Sequence, residues 1–281
     1  LLLWTSNPKV GGFKSLRACH LLLGYEGTSG MDKMDYFMEL YGNLPRAGPG
    51  DNASTRKAYE MIEDMPPEPR ILDIGCGPGV QTVEIAKLSG GTVVALDLMP
   101  QMINRVKETV AEQGLADRIE IIRMDMNKMD FAIESFDLIW AEGAIYLMGF
   151  KNGLEKARKF LKPGGYVAVT EAVWLKPDPP DEVVKFWEAY PDISIIDKKL
   201  KVIADLGYQK IGHFVIPDTS WTEPYYEPLE ERSKELEVAW KDEPVAMEVI
   251  HEAKEEIEMF RKYHEFYGYC FFVMRKSLSA K

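Results

Sequence analysis

The chain has 281 residues, 46% hydrophobic and 28% charged, so it can bury a sizeable core and wholesale disorder is not expected. A net charge of −11 is a poor match to a phosphate backbone, so nucleic acid is not an expected partner. No apolar run approaches the roughly 20 residues that span a bilayer, so a membrane is not expected either.

The cysteines Cys19, Cys76 and Cys270 are widely spaced and form no CxxC pair. That pattern predicts no metal site, no disulfide framework and a reduced, cytoplasmic setting. Residues 1–30 mix short apolar runs with Gly and Ser and are expected to be a poorly ordered extension ahead of Met31. The remainder, 31–281, is expected to be a single domain with three parts. These are an N-terminal helical cap over 31–66, a cofactor-binding core over 67–175, and substrate-side helices with the last two strands over 176–281. The oligomeric state is left open.

Asp51 or Asn52 could cap a helix whose apolar side is Ala58, Met61, Ile62 and Met65. Ile71–Ile74 reads as a strand, followed by a glycine-rich turn and a helix over Gln81–Leu88. Thr92–Leu96 is a second strand. Pro100 then suits the first turn of a helix whose apolar positions are Met102, Ile103, Val106 and Val110, with Gly114 as its stop. Ile119–Arg123 and Phe136–Trp140 are further strands. Gly153–Leu161 reads as a helix, and Tyr166–Glu171 as a fifth strand.

Beyond a proline-rich break, Asp181–Tyr190 and Ile196–Leu206 look helical, and Tyr208–Ile216 and Tyr269–Arg275 look like strands. The segment between those two strands holds a stripe of Ala246, Ile250, Ala253, Ile257, Phe260 and His264 at helical spacing. It is a candidate lid. Strands that alternate with helices imply an α/β fold with a mostly parallel sheet covered on both faces.

The stretch ILDIGCGPGVQT (Ile71–Thr82) carries the strongest chemical signal. Glycines at a strand-to-helix turn let the backbone bend tightly and approach a ligand, and the helix start offers free N–H groups. A second acid, Asp97, lies 22 residues beyond Gly75 (97 − 75), at the end of the next strand. That is close to the spacing of about 20 for a carboxylate that takes ribose hydroxyls. Two cofactor types fit. A dinucleotide site prefers its third glycine one residue later, and an acid at Asp73 would crowd a pyrophosphate. S-adenosylmethionine, a cation without phosphate, suits Asp73 better.

ILDIGCGPGVQT, VVALDLMP, IIRMDMNKM, FDLIWAEGAIYLM and LKPGGYVAVTE together resemble the ordered motifs of class I S-adenosylmethionine-dependent methyltransferases, over about Arg70 to Glu171. The stretches GPGDNASTRKA and TEPYYEP are similar to a group of uncharacterised bacterial small-molecule methyltransferases. The resemblance implies a Rossmann-like seven-stranded sheet of order 3-2-1-4-5-7-6, the seventh strand antiparallel. With it come helices on both faces and a helical lid between the last two strands. It also implies methyl transfer to a small-molecule metabolite by in-line displacement. The alternatives are an NAD(P)-dependent oxidoreductase and a non-catalytic S-adenosylmethionine-binding module.

The resemblance further implies site residues. Asp73 and the loop Gly75, Cys76, Gly77 and Gly79, with Gln81 and Thr82 behind it, would hold the methionine part of the cofactor. Asp97 would take the ribose, with Leu98 beside the adenine. Asp125 would accept the adenine amino group, with Met126 on the ring. Trp140 to Gly143 would line the methyl-transfer channel. Simpler readings stand beside these: Asp73 could orient the turn, Asp97 could cap the helix at Pro100, and Asp130 competes with Asp125. His213 and His264 read as core residues. Two or three of the aromatics Tyr146, Trp174, Trp187, Trp221, Tyr225 and Tyr226 are expected to face substrate. Glu142, at the end of the fourth strand, is the candidate catalytic base, with cofactor clamp and helix cap as the other readings.

Overall fold

The computed structural model describes residues 31–278. The expectations for residues 1–30 and for Cys19 lie outside them. Among the described residues, eight strands form one sheet: β1 (Arg70–Ile74), β2 (Thr92–Asp97), β3 (Ile119–Arg123), β4 (Phe136–Ala141), β5 (Leu161–Trp174), β6 (Ser194–Ile195), β7 (Tyr208–Val215) and β8 (Tyr267–Lys276). The order is β3-β2-β1-β4-β5-β8-β7, with the two-residue β6 added beside β5. Apart from β6, this is the order implied by the resemblance. β1 to β5 pair in parallel, while β8 runs antiparallel to both β5 and β7.

Side chains alternate across a strand, so each strand feeds two cores. Ile71, Ala95, Leu138, Trp140 and Ala168 point into one; Leu72, Leu96, Ile139, Ala141 and Val167 point into the other. The first face is covered by the helices Asn52–Glu60, Val80–Ser89 and Pro100–Glu112, and by the segment between β7 and β8. The second is covered by the helices Phe150–Phe160 and Ile196–Asp205.

The β7–β8 segment is helical, as expected, and contains more than one helix. A π-helical turn (Thr222–Tyr226) leads into Glu227–Ala239 and then Pro244–Tyr263. Ala246, Ile250, Ala253, Ile257 and Phe260 are all buried on the inner face of the last of these. His264 is not part of that stripe: it follows the helix end, is half exposed, and pairs through Nδ1 with Asp218 at 2.7 Å. His213 is partly exposed and stacks on Phe272. The segment meets the N-terminal helix Lys33–Tyr41, where Lys33 reaches Glu248 and Glu252 and Tyr36 packs edge-on to Trp240.

Asp51 does cap a helix, accepting the Ser54 N–H at 2.7 Å. That helix ends at Glu60, earlier than the apolar spacing indicates, and Met65 stands before Pro66, where α conformation is disfavoured.

Gly79 starts the Val80–Ser89 helix with φ +88°, a left-handed conformation. A Cβ there would lie 2.5 Å from Val106 Cγ2 and 3.3 Å from the Val106 backbone. Its glycine is therefore required by helix packing, and it does not line the cavity described below. Gly79→Ala is expected to lower the unfolding free energy by about 2 kcal/mol or more, from backbone strain and overpacking combined. Urea denaturation measures this; a loss below about 0.5 kcal/mol would contradict it.

Candidate functional site

β1 ends in Ile74, and the chain turns at once across the tip of β2. Both Gly75 N–H and Cys76 N–H donate to Leu96 O at 2.9 Å. Gly75 has φ +72°, and a Cβ on it would lie 2.5 Å from Ala144 Cβ, so only glycine fits. Gly77 N–H donates to Asp97 Oδ2 at 3.0 Å, and Met99 N–H to Asp97 Oδ1 at 2.9 Å. Asp97 thus ties the loop to the end of β2. It serves the turn before the Pro100 helix, and each of its oxygens retains further acceptor capacity.

Asp73 lies beneath this loop with 0% exposure, beside Trp140 across the β1–β4 pairing. Thr82 Oγ1 donates to its Oδ2 at 2.6 Å, and Gln81 Nε2 approaches the same oxygen at 3.4 Å and Cys76 O at 3.0 Å. Asp73 ties the end of β1 to the first turn of the Val80–Ser89 helix, and does so through one oxygen. Oδ1 is buried and has no partner. Burial pushes the Asp73 carboxyl up to about 7; Thr82 opposes the shift, and the negative charges of Glu142 and Asp97 add to it. Burial also raises Asp97, against its backbone hydrogen bonds. The Cys76 thiol is raised well above its ordinary range by burial, and no nucleophilic part is assigned to it.

A cavity of about 200 Å³ opens over the carboxyl ends of β1, β2 and β4. Gly75, Cys76, Gly77, Gln81, Asp97, Leu98, Asp125, Met126, Glu142 and Gly143 all line it. Asp125 also accepts the Asn127 N–H at 2.8 Å, which starts a short 3-10 turn; Asp130 is exposed and away from the cavity. Asp73, Gly79, Thr82 and Trp140 do not reach the cavity wall. Trp140 is fully buried because its position faces the core, one residue short of the strand end. Among the described residues no cluster suits a metal ion.

Glu142 is set deeper than its place after β4 suggests, with a side chain only 4% exposed. Trp140 Nε1 and Thr55 Oγ1 donate to its Oε1 at 2.9 and 2.7 Å, and Arg46 Nη1 approaches Oε2 at 3.4 Å. Burial raises its pKa, and Arg46, Thr55 and Trp140 pull it partly back. Arg46 is held in turn by Asn52 Oδ1 at 2.6 Å. The carboxylate therefore ties the end of the sheet to the segment ahead of β1.

That segment was not legible as part of the site. Tyr41, Arg46, Ala47 and Pro49 form one wall of the cavity. Arg105 pins its start by donating to Gly42 O at 2.7 Å and Leu44 O at 2.6 Å. Its end is pinned to the β7–β8 segment: Gly50 N–H donates to Ser220 O at 3.0 Å, and Ser220 Oγ donates to Asp51. The stretches Gly48–Ala58 and Thr222–Pro228 are distant in sequence, yet the chain around them meets here. Of the aromatics singled out above, Tyr146 and Tyr225 line the cavity; Trp174, Trp187, Trp221 and Tyr226 do not, and Tyr269 joins the lining from β8.

Residues 71–165 match the family model described as a methyltransferase domain. A sterol 24-C-methyltransferase of Gibberella zeae is 27% identical over 194 residues, 64% of this chain and 50% of that protein. The chain spans about half the length of that curated relative. Among solved structures, an S-adenosylmethionine-dependent methyltransferase from Thiobacillus denitrificans superposes with a TM-score of 0.77 at 20% identity, covering 87% of this chain and 99% of that one. YjhP from E. coli superposes with a TM-score of 0.75 at 21% identity, covering 85% and 98%. The fold is that of the class I methyltransferases, and residues 71–165 carry a methyltransferase domain.

Asp73 makes stability depend on pH. Its folded value near 7 stands above the ordinary carboxylate value of about 3.9. Its contribution to stability is fully present below that ordinary value and is lost as pH rises through about 7. Unfolding free energy of the wild type, measured against Asp73→Asn by denaturant titration, is expected to fall between about pH 4 and pH 8. A difference that does not change with pH would contradict the assignment.

Proposed function

We propose that the chain is an S-adenosylmethionine-dependent methyltransferase acting on a small molecule. The observation that carries this reading is the buried, unpartnered Oδ1 of Asp73 beneath a glycine turn. A buried carboxylate in that state calls for a positive or hydrogen-bond-donating ligand. The ammonium of the cofactor supplies both. A pyrophosphate would face the same carboxylate with like charge, which speaks against a dinucleotide.

The other cavity residues suit the same ligand. Asp97 offers acceptors for a ribose diol, and Met126 and Leu98 offer apolar surface for a base beside Asp125. Gly75, Cys76 and Gly77 would pass alongside the amino-acid part. Gln81 and Thr82 would hold Asp73, and Gly143 would leave room at the reacting end. Asp73 lies behind the cavity wall, so it would act on the ammonium by its charge and through Gln81, which lines the cavity and bonds to it. When bound, the cofactor supplies an activated methyl group on a sulfonium, so the protein's main tasks are alignment and exclusion of water.

Trp140 and Glu142 receive positioning parts in this reading. Glu142 engages three donors at once, which supports an anchor for Arg46 and the overlying wall better than a free base. The wall and the β7–β8 helices would enclose the acceptor. The acidic chain and the substrates named for its relatives support a small-molecule acceptor over nucleic acid.

S-adenosylhomocysteine is expected to bind by calorimetry, and Asp97→Ala to weaken it at least about tenfold, the loss of roughly two hydrogen bonds. Incubation with methyl-labelled cofactor and a metabolite extract should label the small-molecule fraction. Unchanged affinity in Asp97→Ala would remove the ribose assignment. Preference for NADH, or no labelled product across pH, would contradict the enzyme reading.

A further inference from the structure

The proposed reaction leaves open what kind of atom accepts the methyl group, and the cavity wall bears on it. Four tyrosines from four separate elements line the cavity: Tyr41, Tyr146, Tyr225 and Tyr269. Tyr269 stands beside Gly143, just past the end of β4. A Cβ on Gly143 would be 3.7 Å from its Cε2, and Trp221 holds its ring from behind at 4.7 Å. Tyr146 follows Gly143 by three residues and is braced edge-on by Tyr190. Tyr225 is buried in the π-helical turn of the insertion.

Carboxylates back one of these rings, Tyr225, directly, and back two others, Tyr226 and Tyr190, that stand behind the lining. Glu256, 1% exposed, accepts from the hydroxyls of Tyr225 and Tyr226 at 3.4 and 3.3 Å. Glu171, fully shielded, accepts from Tyr190 and from Lys199 at 2.5 Å. A phenol that donates to a carboxylate becomes richer in ring electron density, which strengthens its attraction for a cation. The cavity lining itself holds three acids, Asp97, Asp125 and Glu142, and one cation, Arg46, which is already paired to Glu142. A wall of electron-rich rings and net negative charge favours positive charge inside it.

We infer that the acceptor is a group that carries positive charge once methylated, such as an amine nitrogen, and that Tyr269 and Tyr146 hold that charge. The inference rests on the methyltransferase reading above and narrows its substrate class. The acceptor's electron pair forms the new bond to the methyl carbon as the carbon–sulfur bond breaks towards sulfur. The positive charge then passes from sulfur to the acceptor, and no proton has to move in that step. This matches the state of Glu142, whose oxygens are engaged by Trp140, Thr55 and Arg46. An alcohol or acid acceptor would end neutral and gain nothing from the tyrosine wall.

The test is calorimetry on protein saturated with S-adenosylhomocysteine, using choline and its uncharged carbon isostere 3,3-dimethylbutan-1-ol. The two probes share a shape and differ in charge. Choline is expected to bind about tenfold or more tighter, and Tyr269→Leu and Tyr146→Leu to remove most of that preference while leaving the alcohol unchanged. Because Tyr269 is buried, the partly exposed Tyr146 keeps the test valid if the Tyr269 variant does not fold. Equal affinity for the two probes, preference for the alcohol, or no choline binding to the loaded protein would overturn the inference. Failure to bind S-adenosylhomocysteine at all would instead overturn the reading beneath it.

Discussion

The site depends on one unfavourable placement: a carboxylate, Asp73, fully buried at the tip of the central strand with one oxygen unpaired. A lone buried polar atom costs free energy of roughly 1–3 kcal/mol, more if it is charged. The surroundings keep that cost from growing. Thr82 and Gln81 reach back from the first helix turn to satisfy the other oxygen, and the glycine turn folds over the top. The turn is in turn latched by Asp97, so the two carboxylates bracket one loop from below and from the side.

Glu142 links that sheet edge to the rest of the molecule. Its oxygens take donors from β4 itself, from the Asn52–Glu60 helix and from the loop before it. The loop is fixed further along by Ser220, and the β7–β8 helices rest on the N-terminal helix. The cavity is thus closed by pieces from both ends of the described chain, held through polar contacts that are most shielded around Glu142. Such contacts are costly to break one at a time, because each partner left behind is buried and unsatisfied.

Much of this was legible in the sequence, for physical reasons. The strands β1 to β4 are short apolar runs between turn residues, and the glycine turn with Asp73 and Asp97 announces itself by composition and spacing. Other features leave no such trace. Gly79 looks like a ligand-facing glycine, yet its neighbour is Val106, which only the packing of two helices reveals. Trp140 and Thr82 sit within the motifs, but spacing alone does not say which side of the wall they occupy. The Glu227–Ala239 helix has a weak pattern, with Ser233 buried between Leu229 and Leu236. Arg46 stands in a Gly- and Pro-rich loop with no periodicity, and its meeting with Glu142 joins residues 96 positions apart. Long-range polar contacts of this kind follow from the tertiary fold and from nothing local.

We propose that Asp73 receives the cationic end of the cofactor. A cation placed beside a carboxylate whose value stands near 7 lowers that value, so binding near pH 6.5 must release a proton. Calorimetry of S-adenosylhomocysteine binding in buffers of different ionisation enthalpy counts that proton directly. Release of about half a proton or more per ligand at pH 6.5, abolished in Asp73→Asn, is the predicted result. A binding enthalpy independent of buffer, or a release that survives in Asp73→Asn, would contradict the account.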